Sequence, residues 1–342
     1  MSQRNVTVVE ATATELVRSG YTNQILGVQA TVAGERDSFF GGLTIIADGY
    51  ASKFRKEFRE DAPAVRSKFY GLELIDTELP APGHGHVLLG DGAPVLLYQI
   101  GTHETRALVD VPTNLPSASV QNGGVKGYIQ NVVVPSLPAS VQPAFQTALN
   151  EGKLQSMPNS FLPPTVNKSP GLIVLGDALN MRHPLTGGGM TVAFNDALLL
   201  SELLSPQKVP MLDDTDRIIA AMKTFHWRRK NLTSVINILA QALYSLFAAD
   251  DPQLKALQMG CFSYFKLGGQ AIDGPVGLLA GIIRQPFVLF YHFFAVALYA
   301  MWIYIVRGGS AIAAPIRVLG SVGVFYKACI VIFPYIFSEL RS

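Results

Sequence analysis

The sequence is poor in charged residues. They make up 15% of the 342 residues, against about a quarter in an average soluble protein, whereas hydrophobic residues reach 49%. This balance favours a membrane-associated protein. The net charge is only +2 and the sequence contains no block of basic residues, so we expect no nucleic-acid partner.

Cysteine and metal-ligand patterns are scarce as well. The two cysteines, Cys261 and Cys329, lie in apolar segments, where buried thiols are more common than a disulfide. Among the six histidines only His84 and His86 are close in sequence, and neither carboxylates nor cysteines accompany them as further ligands. We therefore expect a reducing, cytosol-facing environment and no metal site.

Two N-terminal signals are also absent from the sequence. Residues 1–17 lack the basic and apolar regions of a secretory signal peptide. No GxGxxG turn follows a strand anywhere in the chain, so the usual phosphate-binding turn of dinucleotide-binding folds is not found. The membrane attachment that the composition favours must come from another segment.

The C-terminal part of the chain contains long apolar runs. Residues 287–306 hold a single ionisable side chain, His292, and a run of this length crosses a hydrocarbon core of about 30 Å. Because a charged histidine is costly there, we expect His292 to face protein. Residues 311–337 are interrupted, which favours an interfacial or hairpin segment; the interrupting residues are Pro315, Arg317, Lys327 and Pro334.

These apolar runs predict how the chain attaches to a membrane. One clean run followed by an interrupted one favours a monotopic or re-entrant anchor. Every charged residue between Gly274 and Glu339 is basic, which fits contact with anionic headgroups and a cytoplasmic disposition.

The first half of the chain carries strand patterns. Residues 6–10 and 24–32 are rich in β-formers, and residues 68–111 alternate apolar and polar side chains between glycines and prolines, as antiparallel hairpins do. Leu96 and Tyr98 lie two residues apart on one predicted strand and therefore share a face. A tyrosine in a strand is more often core than site, so the strand pattern alone leaves the role of Tyr98 open.

The second half carries helical patterns. Apolar residues recur at spacings of three and four up to Phe247, which predicts a helix with one apolar face. Residues 261–269 place Phe262 and Phe265 on one face of another helix. An aromatic stripe of this kind is more often core than ligand site when only the spacing is considered.

The most specific segment of the sequence is GLIVLGDALNMRHPLTGGGMTVAFNDALLL, residues 171–200. It predicts a strand that delivers Asp177 to a loop, followed by three glycines that open an apolar helix. The free amides of a helix N-terminus bind anionic or electron-rich groups. A carboxylate accepts hydrogen bonds from a polyol, and Gly187 to Gly189 allow a flat ring to approach the backbone. Together these features suit a flavin.

Residues 44–58 predict a second loop of related character. A short strand ends at Asp48 and Gly49, and a basic helix is expected to follow. An ordinary capped strand–turn–helix would explain this pattern if it stood alone. The role of His183, in the loop of residues 171–200, is also left open by the sequence. Its side chain would either brace the loop or hydrogen-bond a cofactor.

Residues 171–200 resemble the GD motif of FAD-dependent, aromatic-hydroxylase-type monooxygenases, in the NMRHPLTGGGMTVAF form typical of squalene monooxygenases (squalene epoxidases). Asp48, Gly49, Ser52 and Arg55 match the DG motif of the same class, and APVLLYQIG, NILAQALYSLF, CFSYFKLGG and GPVGLLAG match further segments of that family. The resemblance extends from residue 5 to residue 340.

The resemblance implies an α/β fold with an incomplete FAD-binding domain, an antiparallel substrate-domain sheet and a C-terminal helical membrane anchor. Residues 1–60 and 156–205 would form the FAD-binding parts, which carry the DG and GD motifs, and residues 61–155 the substrate sheet. Residues 206–275 would supply helices that line the substrate cavity, and residues 276–342 the membrane-associated helices.

The resemblance also implies an activity. Such an enzyme epoxidises squalene to (S)-2,3-epoxysqualene in sterol biosynthesis, with FAD, molecular oxygen and NADPH-derived electrons, through a flavin hydroperoxide. NADPH-cytochrome P450 reductase would donate the electrons. The protein would lie in the endoplasmic reticulum membrane (microsomes), on the cytoplasmic face.

The site residues implied by the resemblance fall into two groups. FAD would contact Asp177, Met190, Gly187, Gly188, Gly189 and Ala13. Squalene would contact Leu96, Tyr98, Leu185, Phe247, Phe262, Phe265, Pro275, Leu278 and His292. Since the flavin carries the chemistry, no catalytic side chain is expected, and Tyr98 is a candidate only for a supporting role.

Family members begin with a strand, a GxGxxG turn and a helix that hold the FAD pyrophosphate, and this sequence resembles the portion that follows them. Without such a helix N-terminus we expect FAD affinity to fall by about a hundredfold or more. Two functions therefore stay open at this point. One is a squalene monooxygenase that needs an upstream part, and the other is a catalytically inactive paralogue that binds membrane lipids or a partner.

Overall fold

The computed structural model describes residues 4–89, 94–249, 251–306 and 314–340. In these ranges ten strands form three sheets, and helices dominate from residue 189 onward. The strands are β1 Thr12–Arg18, β2 Ile25–Val32, β3 Glu35–Phe40, β4 Thr44–Ile46, β5 Ala64–Ile75, β6 His86–Leu88, β7 Val95–Gln99, β8 Glu104–Pro112, β9 Gln155–Phe161 and β10 Leu172–Val174. The helices are α1 Gly124–Tyr128, α2 Val134–Ser136, α3 Gln142–Glu151, α4 Gly189–Leu203, α5 Thr215–Phe247, α6 Pro252–Phe265, α7 Gln270–Leu279, α8 Pro286–Val306 and α9 Ala314–Leu340.

The largest sheet has five antiparallel strands in the order β6-β7-β8-β5-β9. Period-two alternation gives it two apolar faces. One face packs on α1 to α3 through Leu72, Leu97 and Val109. The opposite face presents Phe69, Leu96 and Leu108 toward α5 and the loop before α4. The antiparallel pairing predicted for residues 68–111 is confirmed where the chain is described; residues 90–93 lie outside the described part.

The part of the fold that carries the two loops with Asp48 and Asp177 contains two small sheets. The strands β1, β2 and β3 form an antiparallel sheet, and β4 pairs in parallel with β10. All three residues of β10 are buried, and they form a core with Ile46, Phe54 and residues from α4 and α5. Parallel strands that are covered by helices read as continuous apolar runs, which explains the sequence LIV in β10.

Gly171 joins these two sheets. Its carbonyl accepts a hydrogen bond from the Thr44 amide at 2.9 Å, and the Pro170 carbonyl accepts one from the Ile25 amide at 2.9 Å. Gly171 has φ of 74°, and a Cβ placed on it would lie 2.1 Å from the Ile25 carbonyl oxygen. Only glycine fits this position without strain.

We expect Gly171→Ala to lower the free energy of unfolding by about 2–5 kcal/mol, the sum of a left-handed backbone cost and a backbone clash. Gly34→Ala is the matched control, because Gly34 also has a positive φ, of 93°, but has open space around its Cβ position. It should lose only about 1–2 kcal/mol. Chemical unfolding in detergent measures both, and equal losses would contradict the clash.

Two apolar helices lie at the C-terminal end. The segments Pro286–Val306 and Pro315–Leu340 are each long and apolar enough to cross a membrane. The run predicted at residues 287–306 is confirmed as one helix. The interruption predicted within residues 311–337 is wrong for residues 314–337, which lie in one continuous helix, while residues 311–313 lie outside the described part of the chain. Pro315 sits in the first helical turn, where its missing amide costs nothing, and Pro334 is accommodated within the helix.

The structure corrects two smaller predictions. Residues 6–10 are not a strand, because they pair with no strand of the described chain and their side chains are exposed. The helix expected after Asp48 is only the 3-10 turn Arg55–Glu57. The side chain of Arg55 in this turn points inward instead of facing solvent.

Candidate functional site

Two loops leave the parallel pair of strands at the same edge. Because β4 and β10 run in parallel, with Val174 opposite Ile46, Asp48 and Asp177 both follow the carboxyl ends of their strands. Ligands of open α/β sheets bind outside these ends. The two carboxylate-bearing motifs identified in the sequence are therefore neighbours in the fold.

A buried arginine ties the two loops together. The Arg55 guanidinium donates to the carbonyls of Gly49 and Tyr50 in the first loop, at 3.2 and 2.8 Å. It also donates to the carbonyls of Asp177 and Ala178 in the second loop, at 3.1 and 3.2 Å. Burial lowers the pKa of Arg55. One guanidinium thus fixes the spacing of the DG and GD loops.

A cleft of about 380 Å³ opens between these loops and the start of α4. Its lining residues are Gly49, Asp177, Arg182, Pro184, Gly187, Gly189, Met190 and Ala193. Gly187 has φ of 64° and open space around its Cβ position, so the backbone is directly accessible. The N-terminus of α4 opens onto the cleft, and its free amides favour electron-rich groups.

The polar groups of the cleft suit a flavin. Asp177 is exposed, and in the described part of the chain its carboxylate meets no hydrogen-bond or ion-pair partner, so it is free to accept from a ligand hydroxyl. Behind it, burial lowers the pKa of Arg182 to about 10, which leaves a cation beside the cleft at neutral pH. The residues present therefore fit a ligand with polyol and electron-rich ring groups.

The structure brings some of the predicted FAD contacts together in the cleft and places the others elsewhere. Asp177, Gly187, Gly189 and Met190 all line the cleft. Gly188 instead faces α5, since its Cβ would lie 2.5 Å from Ile236 Cγ2. Ala13 lies in β1 and packs against the core beneath β10. Four of the six residues are thus brought together.

His183 lies on the inner side of the same loop. The Leu185 amide donates to its Nδ1 at 3.2 Å, and its ring stacks on Tyr244 with centroids 3.9 Å apart. Its Nε2 lies 3.4 Å from Ser67 Oγ and 3.9 Å from Asp110 Oδ1. Of the two roles left open by the sequence, these contacts are those of a loop-bracing residue.

Burial shifts the pKa values of His183 and Asp110 in opposite directions. It lowers the pKa of His183 to about 3 and raises that of Asp110 to about 6. The stability supplied by neutral His183 is present above 6.5, its ordinary pKa, and is lost as pH falls through 3. The stability supplied by protonated Asp110 is present below 3.8 and is lost as pH rises through 6.

We therefore expect the two titrations to offset each other in the parent protein. Each changes the free energy of unfolding by about 1.4 kcal/mol per pH unit, and the two changes have opposite signs. Asp110→Asn should remove one of them, so that stability falls more steeply than in the parent between pH 6 and pH 4. Chemical unfolding at pH 4, 5, 6 and 7 measures this effect. Parallel pH profiles of variant and parent would contradict it.

An apolar cluster lies directly behind the cleft. Leu185 packs with Leu96, Phe69 and Tyr244, and Phe247 joins from the side. The ring of Phe247 stacks parallel to that of Phe262, with centroids 6.3 Å apart. Four of the predicted squalene contacts thus form one continuous set, namely Leu96, Leu185, Phe247 and Phe262.

The other predicted squalene contacts lie further along the helices. His292 is buried and its Nδ1 lies 3.0 Å from the Tyr264 hydroxyl, so the prediction that it faces protein is confirmed. Phe265 packs beside Tyr264, and Leu278 packs on α5. Pro275 is buried in α7 next to Gly274, which abuts the His292 ring. Tyr98 is 38% exposed at the end of β7.

Several important residues were not singled out from the sequence. Arg182, Asn180, Asn237 and Glu339 form a buried polar set that reaches the cleft. For Asn237 and Glu339 the available signal was a single polar residue within an apolar helical stretch, because such residues are rarely buried without a partner. Tyr244 carried no signal that distinguishes it from ordinary core.

Comparison with solved structures shows the fold. Klebsiella pneumoniae HpxO complexed with FAD and uric acid matches with a TM-score of 0.59 and 19% identity, over 81% of this chain and 67% of that one. Pseudomonas aeruginosa pqsL, a probable FAD-dependent monooxygenase, matches with a TM-score of 0.55 and 19% identity, over 70% and 64%. The fold is that of FAD-dependent monooxygenases, as predicted.

Sequence comparison then gives the family. The squalene epoxidase family model matches residues 40–320. The chain is 61% identical to squalene epoxidase erg1 of Aspergillus fumigatus over 340 residues, which are 99% of this chain and 70% of that protein. It is 40% identical to mouse squalene monooxygenase over 344 residues, 100% of this chain and 58% of that protein. The chain belongs to the squalene epoxidase family, a family of enzymes.

Proposed function

We propose that this chain forms the flavin-facing cleft and the substrate cavity of an FAD-dependent monooxygenase that epoxidises squalene to (S)-2,3-epoxysqualene. The observation that carries the proposal is the shared wall between the polar cleft and the apolar cluster. Pro184 lines the cleft, while the next residue, Leu185, packs with Leu96 and Phe69 in the apolar cluster. A ring in the cleft and a hydrocarbon in the apolar cluster would thus contact two consecutive residues, Pro184 and Leu185.

In this proposal the cleft residues bind and orient the cofactor. The Asp177 carboxylate accepts hydrogen bonds from the polyol, and Gly187 and Gly189 let the ring system lie against the backbone. The helix N-terminus at Gly189 stabilises negative charge on the ring. When bound, FAD supplies the activation of oxygen and the transfer of one oxygen atom to the alkene.

The apolar residues exclude water and hold the substrate. Squalene has no polar group, so its binding depends on buried apolar surface. The set Leu96, Leu185, Phe247 and Phe262 supplies such a surface beside the cleft, and we place Phe265, Pro275, Leu278 and His292 along its continuation. Tyr98 takes the supporting role at its edge. No protein nucleophile is needed, because the cofactor carries the oxygen-transfer step.

The membrane and the electron donor complete the proposal. A hydrocarbon substrate partitions into the bilayer, so helices α8 and α9 place the cavity where squalene is concentrated. We propose the endoplasmic reticulum membrane, with the cleft on its cytoplasmic face, and NADPH-cytochrome P450 reductase as the electron donor. Residues 1–60 and 156–205 then act as the flavin side, residues 61–155 as the substrate sheet, residues 206–275 as cavity helices and residues 276–342 as the anchor.

The test is product formation by the full-length protein in detergent, supplied with FAD, NADPH, the reductase, oxygen and squalene. We expect 2,3-epoxysqualene by gas chromatography and mass spectrometry, with no product when FAD is omitted. Asp213→Ala, at an exposed aspartate outside the cleft, serves as the activity control. Retention of FAD and squalene without any epoxide would contradict the proposal and favour an inactive lipid-binding protein.

A further inference from the structure

A carboxylate docks the last turn of the apolar helix α9 onto α5. Glu339 is 4% exposed, although it lies near the end of a helix long and apolar enough to cross a membrane. Its Oε1 accepts a hydrogen bond from Asn237 Nδ2 of α5 at 2.7 Å. Its backbone carbonyl accepts a second hydrogen bond, from Lys230 Nζ of the same helix. Two separate contacts therefore hold this turn against α5.

The carboxylate contact continues to the cofactor cleft. Asn237 Nδ2 also donates to Asn180 Oδ1 at 3.1 Å. The Arg182 Nη2 atom donates to the same Asn180 Oδ1 at 3.0 Å and to the Asn180 carbonyl at 2.8 Å. Arg182 in turn lines the cleft with Asp177 and Gly189. Three side chains thus connect Glu339 to the GD loop.

The buried state of this network argues for a positioning role. Asn180 and Asn237 are 0% and 1% exposed, and buried polar pairs are often replaced by apolar side chains of similar volume without loss of stability. A polar chain instead fixes one arrangement, because each hydrogen bond has a defined direction. What it fixes here is the loop that carries Asp177.

We propose that Glu339 is a positioning residue for the cofactor cleft, so that docking of the membrane helix α9 and binding of FAD are coupled. The inference rests on the proposed function in assigning FAD to the cleft. Coupling of this kind is reciprocal: FAD favours the docked helix as much as the docked helix favours FAD. The anchor thereby acts on the cofactor site as well as on membrane attachment.

The hydrogen-bonded link from Glu339 through Asn237 and Asn180 to Arg182 is called the brace.

Hydrogen exchange measured by mass spectrometry tests the brace without FAD, on the full-length protein in detergent. In Glu339→Ala we expect the amides of residues 177–189 to exchange at least about tenfold faster, a change that corresponds to about 1.4 kcal/mol. Glu339→Gln retains the accepting Oε1 and should exchange like the parent. Leu340→Ala changes an exposed side chain in the same turn and should also have no effect.

A second variant keeps the proposal testable if Glu339→Ala unfolds the protein. Asn237→Leu combined with Glu339→Met replaces the polar link with apolar packing and keeps α9 docked. It should still loosen residues 177–189 while strands β5 and β8 stay protected. Unchanged exchange in this loop, or loosening by Glu339→Gln equal to that by Glu339→Ala, would overturn the positioning role.

FAD titration of the same proteins separates this inference from the proposed function. We expect the dissociation constant for FAD to rise about tenfold in Glu339→Ala and to stay at the parent value in Glu339→Gln. If the loop loosens as expected but the parent binds no FAD, the brace holds and the assignment of FAD to the cleft fails. If the parent binds FAD and Glu339→Ala leaves both exchange and affinity unchanged, the brace fails.

Discussion

Replacing Asp196 with alanine is expected to lower the free energy of unfolding by about 3–5 kcal/mol. Asp196 on α4 and Arg229 on α5 are 0% and 1% exposed. Their two hydrogen bonds, Nε to Oδ1 and Nη2 to Oδ2, measure 2.9 and 2.5 Å. Removing the carboxylate leaves a buried guanidinium without its counter-charge, which is far costlier than losing the pair as a whole.

The same two helices carry the control. Glu202 on α4 and Arg228 on α5 also form a bidentate pair, at 2.8 and 2.9 Å, but both side chains are about half exposed. Solvent screens such a pair, so Glu202→Ala should lose only a small fraction of the stability that Asp196→Ala loses. Thermal and chemical unfolding in detergent measure both variants. Similar losses would show that burial does not set the strength of these pairs.

The double variant Asp196→Leu with Arg229→Met sharpens this test. If the cost of Asp196→Ala comes from the stranded guanidinium, replacing both partners with apolar side chains should recover most of the stability. Because α4 begins at the cleft, the ion pair also holds the helix N-terminus in place relative to α5. We therefore expect Asp196→Ala to weaken FAD binding as well as to destabilise the fold.

Asp177→Ala is expected to raise the dissociation constant for FAD by about ten- to a hundredfold, the range for one hydrogen bond to a charged group. Asp177 is exposed and bonds to no other side chain in the described part of the chain, so its removal should leave the unfolding free energy unchanged. FAD titration followed by quenching of flavin fluorescence measures the affinity. The loss is therefore one of binding, not of folding.

Two variants set the limits of this result. Asp177→Asn keeps one accepting oxygen but loses the charge, and it should fall between the parent and the alanine variant. Asp213→Ala removes an exposed carboxylate outside the cleft and should bind FAD like the parent. Equal FAD affinity in all four proteins would remove Asp177 from the site.

The features that sequence predicted well are those specified locally. Residues 171–200 contain an apolar strand, a glycine-opened helix and an aspartate between them, and each of these follows from neighbouring residues. The structure has the same order, as β10, the Asp177 loop and α4. The alternation in residues 68–111 likewise specifies strands whatever the rest of the chain does.

The features that sequence could not predict depend on distant partners. The sequence pattern places Arg55 in a basic helix. In the structure its guanidinium instead donates hydrogen bonds to carbonyls that lie 122 and 123 residues away in the sequence. Residues 6–10 have β-forming side chains, but a strand needs a partner and none pairs with them in the described chain. The prolines of α9 interrupt the apolar pattern without ending the helix. Arg55 is set by tertiary contacts, residues 6–10 lack a partner strand in the described chain, and Pro315 lies in the first helical turn, where its missing amide is tolerated.

The candidate site follows the same division. Asp177, Gly187, Gly189 and Met190 lie within one short stretch of sequence, so a single motif identified most of the cleft. Glu339 and Asn237 are 102 residues apart, and no local spacing relates them. Buried polar links of this kind are found only when the chain is folded.

Photolabelling tests the central claim, that the isoalloxazine ring lies in the cleft between the DG and GD loops, most directly. The full-length protein, loaded with 8-azido-FAD and irradiated, would be digested and its flavin-bearing peptides identified by mass spectrometry. We predict adducts within residues 47–55 and 177–190, suppressed by excess FAD and reduced in Asp177→Ala. Competable adducts confined to other parts of the chain, such as the groove lined by Trp227, Phe290 and Ile336, would contradict the account.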